Sequence, residues 1–354
     1  MKQRLYINGL GVISPQKTFD VEGFLTEPIE YHENYILALD AEYNQYINPV
    51  QIRRMSRILK MTFTASKKAL QDAGIEKPDA IIAGSGYGCI NDTEKFLLNM
   101  LDNTETMLNP TAFMQSTHNS VAGMVALNVK CNAYNFTYTH RGFSFETSLL
   151  DAMMWIQEGK ENVLIGGFEE NSVNNHIVTN KIDFWKKEKV AAFDLLKTNT
   201  IGTISGEGAN FIVLSASKNE HSYCEVKDVK MCYKPNENEL LEALSQFLQK
   251  NNLEKKDIDV YLTGLNGDSS MDGIYYRSMN ELMKDVPVAW FKHLSGDYYT
   301  SGSFGLWVAA QICKRQEVPP ILMLDGASPK KPIKNILLYN HYRNINHSFY
   351  LIQS

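Results

Sequence analysis

The residues of this chain that could do nucleophilic chemistry lie around a short run from Gly142 to Glu146, with the sequence GFSFE. The run resembles a nucleophile elbow whose last glycine has been replaced by glutamate, with Ser144 at the attacking position. A serine hydroxyl needs an aligned base, and His118 and His140 are the candidates, with Asp297 as the group that would orient the base. One hypothesis is therefore an acyltransferase that uses Ser144.

A second candidate is the glycine-rich run Gly84-Ser85-Gly86-Tyr87-Gly88, which follows a short apolar strand predicted over 80–83. Such a turn can cradle a phosphate, but this one lacks the lysine of a P-loop and a clear acidic partner for a ribose. We therefore expect these glycines to let the backbone turn tightly at the end of the sheet.

The elements that would position Ser144 extend from Asn135 to Glu170. The pattern predicts a strand, a tight turn, an apolar helix over 144–157 and a second apolar strand over 163–165. Such a turn places its residues at a helix N-terminus, where free N–H groups stabilise an anion. No cysteine occurs in this stretch.

The second half of the chain repeats this order of strand, helix, strand and turn. A strand over 225–231, an amphipathic helix over 237–249 and a strand over 258–262 lead into another glycine-containing turn, 264–268. A polar break over 215–222 separates the two halves. We therefore divide the chain into an N-terminal half, 1–217, and a C-terminal half, 218–354.

The stretch 135–170 resembles the active-site region of the β-ketoacyl synthases, the condensing enzymes of fatty-acid and polyketide assembly. Their motif is V-S-T-A-C-x-S-G, followed by a helix and the segments G-x-A-D-V and A-G-G-A-E. Without gaps, Gly142 takes the place of the cysteine and Ser144 keeps the motif's serine. Other family-like segments are Gly9–Pro15, Asn109–Gly123, Phe193-Asp194, Gly206–Ala209 and Val318–Pro320.

The resemblance implies the α/β thiolase fold: a duplicated αβαβα layered architecture with two mixed five-stranded sheets and buried helices. It also implies three catalytic positions, a cysteine and two histidines. The H-G-T-x-T-x-x-x-D motif puts Gly264 at the first histidine, and the K-x-x-x-G-H motif keeps Lys292 but puts Asp297 at the second. The glycine-rich gate expected near 341–344 reads HYRN, without glycines.

Since none of the three positions keeps its catalytic residue, the resemblance implies a subunit without condensing activity. It is similar to the chain length factors that pair with an active ketosynthase, including those of polyene pathways. The implied partners are an acyl carrier protein and acyl thioesters, in a homodimer or a heterodimer with a ketosynthase, with no cofactor or metal. The alternatives are an active synthase or acyltransferase with unusual catalysts, such as Ser144 with His118, and a stand-alone acyl-binding homodimer.

Composition agrees with this expectation. The net charge of −5 and the pI near 5.9 do not favour binding to nucleic acid or to an anionic membrane. Five scattered cysteines without a CxxC pair predict neither a disulfide framework nor a zinc site. No apolar run reaches the roughly 20 residues of a membrane span, and the first residues read as a strand rather than a secretion signal. We expect a cytoplasmic protein.

Overall fold

The computed structural model describes residues 3–106, 108, 110–324 and 329–354, so Asn109 of the Asn109–Gly123 segment lies outside the described residues. The strands in this part of the chain are β1 (Tyr6–Ile13), β2 (Ala80–Gly84), β3 (Tyr134–Tyr138), β4 (Asn162–Glu169), β5 (Gly208–Ser215), β6 (Cys224–Tyr233), β7 (Val260–Thr263), β8 (Val288–Trp290), β9 (Asn335–Tyr342) and β10 (Asn346–Gln353).

The helices of the described residues connect these strands. They are α1 (Pro49–Ile52), α2 (Arg57–Asp72), α3 (Ile90–Asp102), α4 (Pro110–Ser116), α5 (Ser120–Asn128), α6 (Ser144–Gln157), α7 (Val173–Asn180), α8 (Glu237–Lys250), α9 (Gly273–Glu281), α10 (Lys292–Ser295) and α11 (Gly302–Arg315). Short 3-10 helices span Tyr43–Gln45, Arg141–Phe143, Ala192–Lys197, Lys255–Asp257 and Pro320–Leu322.

The strand order shows that the second half repeats the first. The N-terminal strands run β3-β2-β4-β5-β1, and the C-terminal strands, read from the opposite edge, run β8-β7-β9-β10-β6. Each half combines parallel pairs (β3-β2-β4 and β8-β7-β9) with two antiparallel ones (β4-β5-β1 and β9-β10-β6). The predicted duplicated thiolase-type architecture is therefore confirmed.

One detail of that prediction is wrong, because the two five-stranded sheets are not separate. β1 pairs with β6 through Tyr6 with Glu225 and Ile7 with Cys224, which joins them into one ten-stranded sheet. An unpaired strand edge leaves its N–H and C=O groups without partners. The short pairing of β1 with β6 supplies partners for such groups where the two half-sheets meet. The division at 217 and 218 stays a prediction.

Two helices lie at the centre of the molecule, and their composition explains why. In α11 the side chains from Gly302 to Ala310 are all buried, and α6 buries Phe145, Leu149, Met153 and Ile156. A helix that is apolar on all sides, such as α11, must pack between two other layers, whereas α6 buries one face and leaves Leu150 and Met154 exposed. Both belong to one core with the inner faces of both half-sheets, whereas α2 and α8 belong to two separate outer cores.

The N-termini of α6 and α11 therefore point into the interior, where polar groups from both halves meet. Among the described residues, every helix is too short or too polar to cross a membrane.

Candidate functional site

The predicted elbow forms where β3 gives way to α6. β3 ends at Tyr138, the 3-10 turn Arg141–Phe143 follows, and α6 begins at Ser144. Within the turn Arg141 has φ of +50°, a conformation that L-residues other than glycine adopt at a cost. A sharp turn of this kind presents a nucleophile in an active elbow, but here its apex is an exposed arginine and its next residue is glycine.

The space beside Gly142 is occupied by the β9–β10 hairpin. A β-carbon built on Gly142 would lie 2.7 Å from Tyr342 Cβ and 2.9 Å from Asn346 Oδ1. Tyr342 is held there by Tyr299, with ring centroids 4.4 Å apart, and Tyr299 in turn contacts Tyr87 at 4.8 Å. A larger side chain at position 142 would therefore require the hairpin to move.

Ser144 is buried and fully hydrogen-bonded within the turn. Its Oγ accepts from the His140 N–H at 2.8 Å and can donate to the Arg141 carbonyl at 2.8 Å or the Ser85 carbonyl at 3.1 Å. No histidine ring is among these partners. His118 and His140 have exposed side chains, and the His118 ring lies against Gly88. The structure does not bring Ser144, a histidine ring and Asp297 together as a catalytic set.

The glycine-rich run 84–88 already binds an acidic side chain of the protein itself. The buried Glu169 carboxyl group accepts from the backbone N–H of Gly86 and, at 3.1 Å, from that of Tyr87. Burial raises the pKa of Glu169 to about 8, although these hydrogen bonds act in the opposite direction and lower it. Because the N–H groups that a phosphate would need are taken, the structural role expected for these glycines is favoured.

Lys292 and Asp297 form a buried ion pair. Lys292 Nζ lies 2.8 Å from Asp297 Oδ1 and donates to the His341 carbonyl at 2.9 Å. The other oxygen, Asp297 Oδ2, accepts from the Asn266 amide at 2.9 Å. The side chains of the pair are 0% and 3% exposed, so neither charge is stabilised by water and each depends on the other. Asp297 is therefore held as a partner of Lys292.

The position of Gly264 is also filled. A β-carbon there would collide with Asn340 Oδ1 and would lie 2.7 Å from the Tyr275 hydroxyl and 3.2 Å from Lys292 Cε. The side chains that occupy this space come from β9, α9 and α10. Gly264, Gly142 and Asp297 are therefore brought into one region around β9 and its hairpin, but two of the three have no side chain and no room for one.

Two buried carboxyl groups of this region were not singled out from the sequence as site residues. Glu146, in the first turn of α6, accepts from the Tyr350 hydroxyl at 2.7 Å and from Ser348 Oγ at 3.1 Å. Asp272 accepts from the Gly267 N–H at 2.7 Å. Burial raises the pKa of each carboxyl to about 7. In the sequence Glu146 gave one signal, an acidic residue in the first turn of a mostly apolar helix.

A family model described as "Beta-ketoacyl synthase, N-terminal domain" matches residues 32–251, which is more than half of the chain. The chain belongs to the β-ketoacyl synthase family. No curated protein sequence matches it significantly.

Solved structures with the same fold include ketosynthase complexes. A chain of the ishigamide ketosynthase/chain length factor is 15% identical, with 100% of each chain covered and a TM-score of 0.80. A chain of a ketosynthase with its chain length factor from Xenorhabdus doucetiae is 13% identical, covering 99% of this chain and 98% of that one, with a TM-score of 0.78. A type II polyketide synthase carrier protein in complex with its ketosynthase gives 15% identity, 99% coverage of each chain and a TM-score of 0.74. At these identities the likeness shows the fold.

The geometry adds a second register for the family's first histidine motif. Shifting the comparison by two residues aligns Asn266-Gly267 with the His-Gly pair and Ser270 with the second threonine. In this register an asparagine takes the place of the first histidine, and its amide hydrogen-bonds Asp297. The sequence signal for this register is the glycine at position 267. The structure shows why a glycine is favoured there, since its φ is +78°. Neither register supplies a histidine.

A tight hairpin turn lies at 343–345, in the segment where the resemblance predicted the glycine-rich gate. Arg343 and Asn344, between β9 and β10, have φ of +52° and +51°. Residues 343–345 form a three-residue turn, and positive φ values such as these are usual for glycine or asparagine. The Arg343 guanidinium lies 3.6 Å from the centroid of the Phe184 ring, a cation–π contact that fixes the turn against a neighbouring loop.

Proposed function

We propose that this chain is a non-condensing subunit of a fatty-acid or polyketide assembly system, similar to a chain length factor, that acts together with an active ketosynthase. The observation that carries the proposal is the filling of the site. The β9–β10 hairpin occupies the space at Gly142, Asn340 and Lys292 occupy the space at Gly264, and the Asp297 carboxylate is bound by Lys292.

The electrostatics of the region support the same proposal. Condensation needs donors aimed at an oxyanion that develops beside the thioester. Here the Asn266 amide and the Lys292 ammonium, the two donors closest to Asp297, are already bound to its carboxylate. Freeing them would leave a buried carboxylate without a partner, which is strongly unfavourable.

An apolar face on the N-terminal half supports pairing with another subunit. β3 is the edge strand of the sheet, and its Phe136 side chain is 46% exposed. The helices α5 and α6, which contact β3, expose Leu127, Leu150 and Met154. Further exposed apolar side chains lie on α3 and α4; they are Leu97, Leu98, Leu101, Phe113 and Met114. A surface of this composition beside an open strand edge is unfavourable in water and is typical of an interface.

A cationic cleft supports a carrier protein as the second partner. A cleft of about 650 Å³ is lined by the basic side chains of Arg53, Arg54 and Lys95, and the Lys95 charge acts on the carboxyl group of Asp92 in the same lining. The one acidic side chain in the lining, Asp92, is buried, and burial raises the pKa of its carboxyl. We propose that an acidic carrier surface binds this cleft. The pathway we propose is of the polyene type.

Co-expression with a Cys-His-His ketosynthase of the same organism tests the proposal. The two chains should co-purify, and the pair should elongate an acyl carrier substrate that neither chain elongates alone. If the ketosynthase gave the same products at the same rate without this chain, and the two did not co-purify, the proposal would be wrong.

A further inference from the structure

Helix α7 (Val173–Asn180) has its polar side towards the protein and its apolar side towards solvent. The exposed apolar side chains are aliphatic and β-branched, with Val173 63% exposed, Ile177 53% and Val178 61%. They lie within an arc of about 140° around the helix axis, at 3.6 residues per turn. Ile182, just beyond the helix, is 59% exposed. A surface helix of a globular protein normally has the opposite arrangement, with its apolar stripe facing the core.

The inward side of α7 is polar and is fixed by specific contacts. Thr179 is buried, and its hydroxyl accepts a hydrogen bond from Trp185 Nε1 at 2.7 Å. The His176 ring stacks on the Trp185 ring, with centroids 5.6 Å apart. At the start of the helix, the Ser172 hydroxyl accepts from the Asn175 N–H at 3.2 Å. These contacts hold the helix in an orientation that leaves its aliphatic side chains in water.

Neither helix propensity nor solvation favours valine and isoleucine at these exposed positions. Their branched side chains lose rotamer freedom in a helix, and both residues are weaker helix formers than lysine or leucine. Their apolar surface is unfavourable in water and becomes favourable only when another apolar surface covers it. The exposed side of α7 therefore has the properties of a surface that a partner covers.

The apolar surface of α7 continues onto α3 through Glu94. The Glu94 carboxylate accepts from the Ser172 hydroxyl and, at 3.1 Å, from the Asn174 amide. Exposed leucines follow Glu94 by three, four and seven residues, and so lie on the same side of α3. They are Leu97, Leu98 and Leu101, at 51%, 50% and 76% exposure. The aliphatic side of α7 is thus continuous with part of the apolar face proposed above as the ketosynthase interface.

The charges around this surface fit an apolar protein face better than an acidic carrier or an anionic bilayer. The segment 173–180 contains no Asp, Glu, Lys or Arg, and its flanks carry one acid, Glu94, and one base, Lys181. An acidic carrier or an anionic bilayer would need an excess of cations here. A neutral aliphatic surface resembles the core of a protein interface, where charged residues are depleted.

We propose that the aliphatic side of α7 is a docking surface for the active ketosynthase subunit, and that it extends the interface on α3 as far as residue 182. This docking rests on the proposed function, because its occupant is the ketosynthase named there. Ile177 and Val178 contact apolar side chains of that subunit. Their burial removes aliphatic surface from water and requires no charge of α7 to be desolvated.

The test is the affinity of the full chain for a Cys-His-His ketosynthase of the same organism, measured by biolayer interferometry on Ile177→Lys and Val178→Lys. Lysine is the better helix former and is solvated at an exposed site, so neither variant should melt below the unmodified chain. Each should bind the ketosynthase about tenfold more weakly or worse, because docking would bury the ammonium group. Val21→Lys, at a 45% exposed valine in a cleft beside Arg315, should keep the original affinity.

Equal affinity of the unmodified chain and both folded α7 variants would overturn the docking surface and leave the proposed function intact. An equal loss of affinity in Val21→Lys would also overturn it. Failure of the unmodified chain to bind the ketosynthase would refute the proposed function and, with it, this docking. If the α7 variants kept the ketosynthase but lost self-association, or binding to acyl carrier protein or phosphatidylglycerol vesicles, the surface would have another occupant and the proposal would be wrong.

Discussion

Glu146 is the residue whose substitution tests the physical account of the interior most sharply. Its side chain is fully buried at the start of α6, and Tyr350 and Ser348 donate to one carboxyl oxygen. The other oxygen, Oε2, has no hydrogen-bond partner in the described residues. Glu146→Gln keeps the accepting oxygen and replaces the unpartnered one by an uncharged amide.

The magnitude follows from linkage between protonation and folding. Burial raises the pKa of Glu146 from 4.5 to about 7 in the folded state. Between these values the folded chain binds more protons than the unfolded chain, so the contribution of Glu146 to the free energy of unfolding falls as pH rises. The loss is complete above the folded pKa and is about 3 kcal/mol, from 1.36 kcal/mol per unit. The glutamine lacks this penalty.

Urea unfolding at pH 5 and pH 8 measures the difference. The quantity compared is the free energy of unfolding of Glu146→Gln minus that of the original chain. This difference should be about 3 kcal/mol larger at pH 8 than at pH 4.5, and most of the change should be visible between pH 5 and pH 8. Other buried titrating groups are present in both proteins and cancel. Glu158→Gln, at the exposed end of the same helix, should change stability little at either pH. An equal effect of Glu146→Gln at both pH values would refute the reasoning.

Three further substitutions have defined outcomes. Gly142→Cys should cost about 1–3 kcal/mol in stability by chemical denaturation, because the hairpin must move, and should not produce an acyl-enzyme by intact mass. Lys292→Met should cost about 3–5 kcal/mol, because it leaves the Asp297 carboxylate buried without its cation. Phe136→Asp should weaken co-purification with the ketosynthase, because it places a charge on the apolar edge strand.

Each of these has a matched control. Gly273→Ala, at a glycine whose β-carbon would meet nothing within 4 Å, should be tolerated, and an equal loss there would contradict the argument from crowding. Adding Asp297→Asn to Lys292→Met should recover part of the lost stability, and no recovery would argue against the buried pair. Tyr233→Asp, on an exposed position of the other half, should leave the partner bound, and equal loss of binding would contradict the proposed interface.

Elements with a strong local pattern were predicted well from the sequence. The helix expected over 144–157 has those bounds, and the one expected over 237–249 ends one residue later, at Lys250. The apolar period over 52–73 likewise predicts one helix, but α1 ends at Ile52 and α2 begins only at Arg57, because a turn separates the two. A continuous apolar period could not reveal that break.

The filling of the site could not be predicted in the same way. The motif comparison located Gly142 and Gly264, since they interrupt recognisable patterns. The side chains that fill their spaces include those of Asn340, Tyr342 and Asn346, which lie far away in the sequence. Of these three, only Tyr342 falls in the segment where a gate was expected. Long-range packing of this kind follows from the duplicated topology and leaves no local signal.

The central claim, a site without condensing chemistry, is tested most directly on the purified chain alone. It would be incubated with acylated and malonyl-loaded carrier protein, and intact mass would follow both acyl transfer to the chain and loss of carbon dioxide from the malonyl group. The account predicts neither. An acyl adduct on Ser144 that disappears in Ser144→Ala would contradict it and would make this chain an acyltransferase with a replaced nucleophile.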